Sequence, residues 1–157
     1  EDYYAFLQAL HYITVSPSKG IAGDGEGAAK LLECHVTGAP DKDTARVVAK
    51  SVITSSLFKA AMFGADANWG RVLCAIGYAP AEFEIEKVGV TLSSEKGSVK
   101  VCQNGAGVTF SEEIAAQVLS AKEILISVTL GDGNAEATAW GCDLTYDYVK
   151  INGDYRT

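Results

Sequence analysis

The first third of the chain alternates between helical and extended spacing of its apolar residues. Between Tyr3 and Ile13, apolar side chains recur every three or four positions, which predicts a helix with one buried stripe. Pro17 predicts a break or kink after it, because proline has no backbone N–H to donate. The apolar run at 30–37 predicts a strand, and Asp41 predicts the N-cap of a second helix.

Two further apolar segments follow before residue 79. The segment 57–64 has a length that suits a buried strand, with a helical turn as the alternative. Asp66 predicts the cap of a third helix with an apolar face, formed by Trp69, Val72, Leu73 and Ile76. Gly70 is unfavourable in the first turn of that helix, so it predicts the close approach of another segment.

The second half of the chain is dominated by alternating apolar and polar residues, the pattern of half-buried strands. Strands are predicted at 88–92, 99–102, 124–130 and 135–142. Gly131–Asn134 predicts a hairpin turn that joins the last two strands.

Two short helices complete the pattern. Ser111 predicts the cap of a helix that points Ile114 and Val118 inward, and the stretch 144–151 predicts a last helix. Because strands and helices are interspersed, the predicted fold class is α/β (α+β). Helices give way to strands near residue 79, the one candidate for an internal boundary within 1–157.

Composition limits the classes of partner. The 157 residues, 48% of them hydrophobic, suit one globular domain with a real core. No apolar run approaches the roughly 18 residues of a membrane span, and no basic and then apolar leader opens the chain. A formal charge of −7 argues against nucleic acid, which binds clustered Lys and Arg. We expect no membrane or nucleic-acid partner and a better match to a cationic small molecule.

The cysteine pattern argues against a zinc site. The four cysteines are Cys34, Cys74, Cys102 and Cys142. They are widely spaced, and only His11 and His35 are available to join them. Their apolar surroundings predict reduced thiols and hence a cytoplasmic protein. Because the chain opens at Glu1 and its only methionine is Met62, we expect a fragment, an expressed portion or a chain released by cleavage.

The glycine-rich segment 23–30 is the first candidate for a functional site. Its three glycines, at alternate positions, leave the backbone free to adopt left-handed dihedrals, and Asp24 and Glu26 lie between them. Such a turn can bring carboxylates and backbone amides close to a small ligand. The alternative is a connector whose acids point into water.

The remaining candidates are Arg71 and the polar C-terminus. Arg71 is a candidate anion ligand, with a structural ion pair as the alternative. Asn152, Arg156 and the carboxylate of Thr157 could contact a ligand together with the glycine-rich turn. The chain carries no Gly-x-Ser-x-Gly, Walker lysine or dinucleotide-binding fingerprint, and it offers no candidate nucleophile. Acidic groups on a stiff backbone suit an ammonium or amino-acid ligand.

Three segments, in order, closely resemble motifs of the ornithine acetyltransferase (ArgJ) family. They are Gly23-Asp24-Gly25-Glu26-Gly27-Ala28-Ala29-Lys30, Asp66-Ala67-Asn68-Trp69-Gly70-Arg71 and Ile151-Asn152-Gly153-Asp154-Tyr155-Arg156-Thr157. The departures are all small: Ala29 stands where threonine is usual, Ala67 where proline is usual and Gly153 where alanine is usual. The resemblance extends from about the first helix to the last residue.

The resemblance implies a layered α/β sandwich with a smaller α/β C-terminal domain. Members of the family cleave themselves at an Ala-Thr bond into α and β chains, and the new N-terminal threonine of β is the nucleophile. That threonine segment is absent here. The resemblance therefore implies the C-terminal portion of a β chain, with no catalytic residue in this chain and an assembly of two α and two β chains.

The family's reaction moves an acetyl group from N-acetylornithine to glutamate in arginine biosynthesis. Some members also use acetyl-CoA as the donor, so the resemblance implies no bound cofactor and acetyl-CoA as a candidate donor. Carried over by position, the substrate-binding residues are Glu26, Asn152 and Thr157. Two alternatives stay open: a non-catalytic binding or assembly module, and a related self-cleaving enzyme of the aminopeptidase type.

Overall fold

A computed structural model describes residues 2–155. The helices are α1 Asp2–Gly23, α2 Lys42–Thr54, α3 Ser56–Phe63, α4 Trp69–Gly77, α5 Glu112–Leu119 and α6 Tyr146–Asp154, with a 3-10 turn at Ile85–Lys87. The strands are β1 Leu31–Ala39, β2 Gly89–Ser94, β3 Gly97–Gln103, β4 Ala106–Gly107, β5 Glu123–Thr129 and β6 Ala135–Cys142. None of these helices is long and apolar enough to cross a membrane.

The strands form one sheet in the order β4-β3-β2-β5-β1-β6. β1 lies inside it, parallel to β5 on one side and antiparallel to β6 on the other, with Leu31 opposite both Glu123 and Cys142. The predicted α/β class is confirmed. The sheet contains strands from both sides of residue 79.

The core lies between one face of the sheet and the helices that cover it. Along β1 the residues Leu32, Cys34 and Val36 are fully buried, while their neighbours on the other face are only half-buried. α2 packs over β1 and β6, and α5 packs over β2 and β3. The predicted cap of α2 is confirmed, because an Asp41 carboxylate oxygen accepts the backbone N–H of Thr44 at 2.7 Å.

The segment 57–64 does not form the strand that its length suits; it forms helix α3, in line with the helical alternative. Phe58, Ala61 and Met62 are buried at helical spacing, so the segment presents one face to the core instead of two. The Ser55 hydroxyl accepts the backbone N–H of Phe58 at 3.4 Å and caps the helix. The Ser55 cap and the helical spacing of the buried residues therefore indicate the structure of this segment better than the length of its apolar run does.

The start of α4 differs in detail from the prediction. Asn68, and not Asp66, caps the helix by accepting the backbone N–H of Arg71 at 3.1 Å. The Asp66 carboxylate accepts a hydrogen bond from the Asn68 side-chain amide at 3.0 Å and so orients the capping residue. Among the described residues no other segment approaches Gly70 closely, since a Cβ there would meet only the Asn68 side chain. The Trp69 ring packs instead on Gly107, where a Cβ would clash with it.

The predicted hairpin at 131–134 is also wrong. β5 and β6 are not neighbours, because β1 lies between them. The turn crosses the end of β1, where the backbone N–H groups of Asp132 and Gly133 donate to the Gly38 carbonyl at 2.8 and 2.9 Å. Alternation fixes which face a residue occupies, but it does not fix which strands pair.

Two helical faces differ from expectation. In α5, Val118 is buried as predicted, but Ile114 is 51% exposed and Ala115 takes the inward position. α1 continues through Pro17 to Gly23, and none of its residues is buried. Its apolar stripe is therefore exposed and not buried, since no other described element covers that side of the helix.

α1 is attached to the sheet by a polar contact at Glu33. The Glu33 carboxylate pairs with the Lys19 ammonium at 2.5 Å and accepts the Trp140 indole N–H at 2.9 Å. Burial by itself would raise the pKa of Glu33, but the hydrogen bonds and charge of these partners outweigh burial and hold the pKa below its ordinary value. One carboxylate thus joins α1, β1 and β6.

Acid should release this contact. Because the pKa of Glu33 is lower in the folded protein, its stabilisation is complete above the ordinary Glu pKa of about 4.3 and is lost as the pH falls through the lower folded value. In a Trp69→Phe background, Trp140 fluorescence should change over that acid range. The same change in a protein that also carries Glu33→Gln would contradict the assignment.

The burial of Phe58 gives a direct test of α3. Phe58→Ala should lower the free energy of unfolding by about 3–5 kcal/mol, because it leaves a cavity in the core. Leu57→Ala, one residue earlier and 61% exposed, should change it by less than about 0.5 kcal/mol. Urea unfolding measures both, and equal losses would argue against the described packing of α3.

Candidate functional site

The glycine-rich turn connects α1 to β1 and leaves Glu26 at the surface. Its backbone is closed by the N–H of Ala28, which donates to the Gly25 carbonyl at 2.9 Å. Gly27 has φ +64°, the left-handed region that favours glycine. A Cβ at Gly27 would lie 2.8 Å from the backbone nitrogen of Tyr148. The turn therefore packs directly against the start of α6.

Thr145 joins this turn to α6. As the N-cap of the helix, its hydroxyl oxygen accepts the backbone N–H of Tyr148 at 3.2 Å. The same hydroxyl donates its proton to the Gly27 carbonyl at 2.6 Å. Thr145 is only 5% exposed, and both bonds are partly buried. The position of the turn is thereby tied to the first residues of the helix.

Asp143 holds the other end of the turn. One of its carboxylate oxygens accepts the backbone N–H groups of Ala29 and Lys30 at 2.8 and 3.0 Å. Its own backbone N–H donates to the Lys30 carbonyl at 3.2 Å. Asp143 is 3% exposed, and its second carboxylate oxygen has no hydrogen-bond partner among the described residues. A buried carboxylate is thus used to fix backbone amides.

The side chain of Lys30 points into the protein. Its ammonium donates to the Met62 carbonyl at 2.5 Å, at the end of α3. Burial lowers the pKa of Lys30, and the charge of Asp143 acts in the opposite direction. This lysine therefore serves the structure of the turn.

Glu26 and Asn152 are in contact, although they lie at opposite ends of the chain. The Asn152 side-chain nitrogen donates to the Glu26 carboxylate at 2.9 Å and to the Tyr148 carbonyl at 2.9 Å. These two bonds use both protons of the amide, so its carbonyl oxygen is left as an acceptor. Both side chains are exposed. The surface thus presents a carboxylate and an amide oxygen side by side.

The other sequence candidates have different environments. Arg71 donates through its guanidinium to the Leu57 carbonyl at 2.9 Å, a structural contact between α3 and α4. Asp24 is exposed, and its backbone N–H donates to the Gly20 carbonyl at 3.1 Å. Arg156 and Thr157 lie outside the described residues. Within residues 2–155, no group of three or more His, Cys, Asp or Glu side chains could hold a metal ion.

Asp143 and Thr145 were not among the candidates from sequence. A signal for Thr145 was present, because a threonine before an amphipathic stretch is typical of an N-cap. Asp143 had no local signal, since its partners Ala29 and Lys30 are distant in sequence and are brought to it only by the pairing of β1 with β6.

The left-handed residue gives a test of the turn. Gly27→Ala should lower the free energy of unfolding by at least about 1–2 kcal/mol, because a Cβ is strained at positive φ and meets Tyr148 and Asp147. Gly23→Ala is the matched control, since its Cβ would meet Leu31 at an ordinary 3.6 Å. If thermal unfolding gave equal effects for both, the described backbone of Gly27 would be wrong.

Comparison with known proteins identifies the family. The model of the ArgJ family matches residues 1–157. Arginine biosynthesis bifunctional protein ArgJ 1 of Clostridium acetobutylicum is 54% identical over 99% of the chain, and its counterpart from Caldanaerobacter subterraneus subsp. tengcongensis is 51% identical over 99%. The chain spans 38% and 39% of the lengths of these two relatives.

A solved structure has the same fold. The crystal structure of arginine biosynthesis bifunctional protein ArgJ from Bacillus halodurans superposes with a TM-score of 0.91 at 44% identity, covering 98% of this chain and 71% of that one. The order of motifs, the fold and the match over the whole chain agree. The chain therefore belongs to the ArgJ family.

Proposed function

We propose that this chain forms part of the substrate pocket of a glutamate N-acetyltransferase and ornithine acetyltransferase. The enzyme moves an acetyl group from N-acetylornithine to glutamate in arginine biosynthesis. The observation that carries the proposal is the contact of Glu26 with Asn152, at 2.9 Å, in a chain of the ArgJ family. Two of the three substrate-binding positions implied by the resemblance thus lie together.

The chemistry of this pair suits the acetylated donor. In N-acetylornithine the α-amine is neutral as an amide, and the side-chain amine is the one cationic group. One Glu26 oxygen accepts from Asn152, so the other is available to that ammonium as a charge-assisted hydrogen bond. The Asn152 carbonyl oxygen offers a second acceptor. Thr157 completes the proposed set of substrate ligands.

The acetyl-transfer chemistry belongs to polypeptide outside this chain. The family's threonine nucleophile would attack the acetyl carbon, release ornithine and pass the acetyl group to glutamate. The residues of this chain would bind and orient the substrate and would take no acetyl group themselves. No resident cofactor is required, and acetyl-CoA is a candidate alternative donor.

The exposed stripe of α1 is the proposed contact with the rest of the enzyme. It includes Tyr3, Phe6, Leu10 and Ile13, exposed by 68, 62, 45 and 64%. So much apolar surface on one helix is typical of an interface. We assign it to the α chain or the preceding β segment of an assembly of two α and two β chains. All four cysteines are free, which fits a cytoplasmic enzyme.

One experiment separates this proposal from the two rivals. The complete, self-cleaved enzyme that contains this chain should release ornithine from N-acetylornithine and form N-acetylglutamate. A complex that is correctly assembled but inactive would favour the non-catalytic module. Hydrolysis of peptides without acetyl transfer would favour the aminopeptidase-like relative.

Glu26→Ala should raise the KM for N-acetylornithine at least about tenfold, because the substrate ammonium loses its charged partner. Glu113→Ala is the control, since this exposed carboxylate lies on α5, outside the glycine-rich turn and α6, and should leave the KM unchanged. Steady-state kinetics on the complete enzyme measures both variants. An unchanged KM and kcat in Glu26→Ala would remove Glu26 from the site.

A further inference from the structure

We infer that Asp143 and Thr145 are positioning residues that set the geometry between Glu26 and Asn152. This inference rests on the proposed function for the identity of the substrate. We call the hydrogen bonds from these two side chains to the glycine-rich turn the latch. The latch comprises the bonds from Thr145 to Gly27 and from Asp143 to Ala29 and Lys30.

The turn that carries Glu26 needs an external constraint. Glycines precede and follow Glu26, and glycine loses more conformational freedom on ordering than any other residue. Glu26 itself is exposed, so packing does not hold its side chain. A long acidic side chain on a free turn would sample many positions, and only a fraction of them would meet a bound ammonium.

The latch supplies that constraint from both ends of the turn. Thr145 holds the carbonyl directly after Glu26, at Gly27, and Asp143 holds the amides at the end of the turn. Both side chains are almost fully buried, at 5 and 3% exposure, so neither can contact a ligand on the surface. Their effect on a substrate must therefore pass through the residues that they hold.

The same latch fixes the partner of Glu26. The Thr145 hydroxyl also caps α6 by accepting the N–H of Tyr148, and Asn152 lies one turn later, bonded to the Tyr148 carbonyl. One hydroxyl thus contacts the turn that carries Glu26 and the helix that carries Asn152. Removing the Thr145 hydroxyl should therefore alter the relative positions of Glu26 and Asn152, while the free energy of unfolding of the core changes little.

The test uses Thr145→Val, which keeps the shape of the side chain and removes the hydroxyl, with Thr145→Ser as the matched control. In the complete enzyme, Thr145→Val should raise the KM for N-acetylornithine roughly three- to tenfold, the effect of about one hydrogen bond, and change kcat by less than about twofold. Thr145→Ser should restore the KM. An unchanged KM in Thr145→Val would overturn the inference.

A double variant separates positioning from general destabilisation. If Thr145 acts through the pair of Glu26 and Asn152, Thr145→Val should raise the KM by a smaller factor in the Glu26→Ala background than in the wild type. If Thr145 had only a structural role, the KM of the double variant should rise by the product of the two single-variant factors. Multiplied effects would therefore overturn the assignment.

Hydrogen exchange tests the latch without any assay of activity. In Asp143→Ala the amides of Ala29 and Lys30 should exchange at least about tenfold faster than in Asp143→Asn, which keeps an oxygen acceptor. Equal exchange in both variants would overturn the latch. If the wild-type enzyme transferred no acetyl group, the proposed function would fail, whereas the exchange rates would still decide whether Asp143 holds the turn.

Discussion

The pairing of β1 with β6 is the constraint on which the rest of this structure depends. In the antiparallel register Leu31 lies opposite Cys142, so the first residue of β1 and the last residue of β6 meet at the same end of the paired strands. Whatever precedes β1 must therefore lie beside whatever follows β6. The glycine-rich turn precedes β1, and Asp143 and Thr145 follow β6. The candidate site is a direct result of this register.

The site combines a buried, fixed backbone with exposed side chains. Asp143 and Thr145 lie under the surface and satisfy amides and a carbonyl of the turn, while Glu26 and Asn152 project from it. Hydrogen bonds in shielded positions are stronger than those in water and hold geometry better. Because Glu26 and Asn152 are exposed, a small molecule can reach their side-chain oxygen atoms. The arrangement suits binding of an ion more than chemistry on it.

Much of the local structure could be predicted because it is encoded locally. The Asp41 cap, the buried face of α2 and the alternation along β5 depend on residues close in sequence. The strand order could not be predicted, because alternation leaves pairing open: the sequence of Gly131–Asn134 is typical of a hairpin, yet β1 lies between the two strands that it joins. The α1 stripe was predicted as buried because periodicity identifies an apolar face but not the polypeptide that covers it. The family resemblance and the charge of the two segments predict that Glu26 and Asn152 meet. The role of Asp143 could not be predicted, because it depends on a contact between segments that are distant in sequence.

The β1–β6 register also has a consequence for folding during synthesis on the ribosome. Because a ribosome delivers the chain from its N-terminus, β1 emerges well before β5 and β6, the strands on its two sides. Until those late segments appear, the acidic turn lacks its buried partners and β1 has two open edges. Translation must therefore pass β6 and α6 before the surface formed by Glu26 and Asn152 can exist. A nascent chain stalled before residue 143 would lack that surface even if α2, α3 and α4 had already formed.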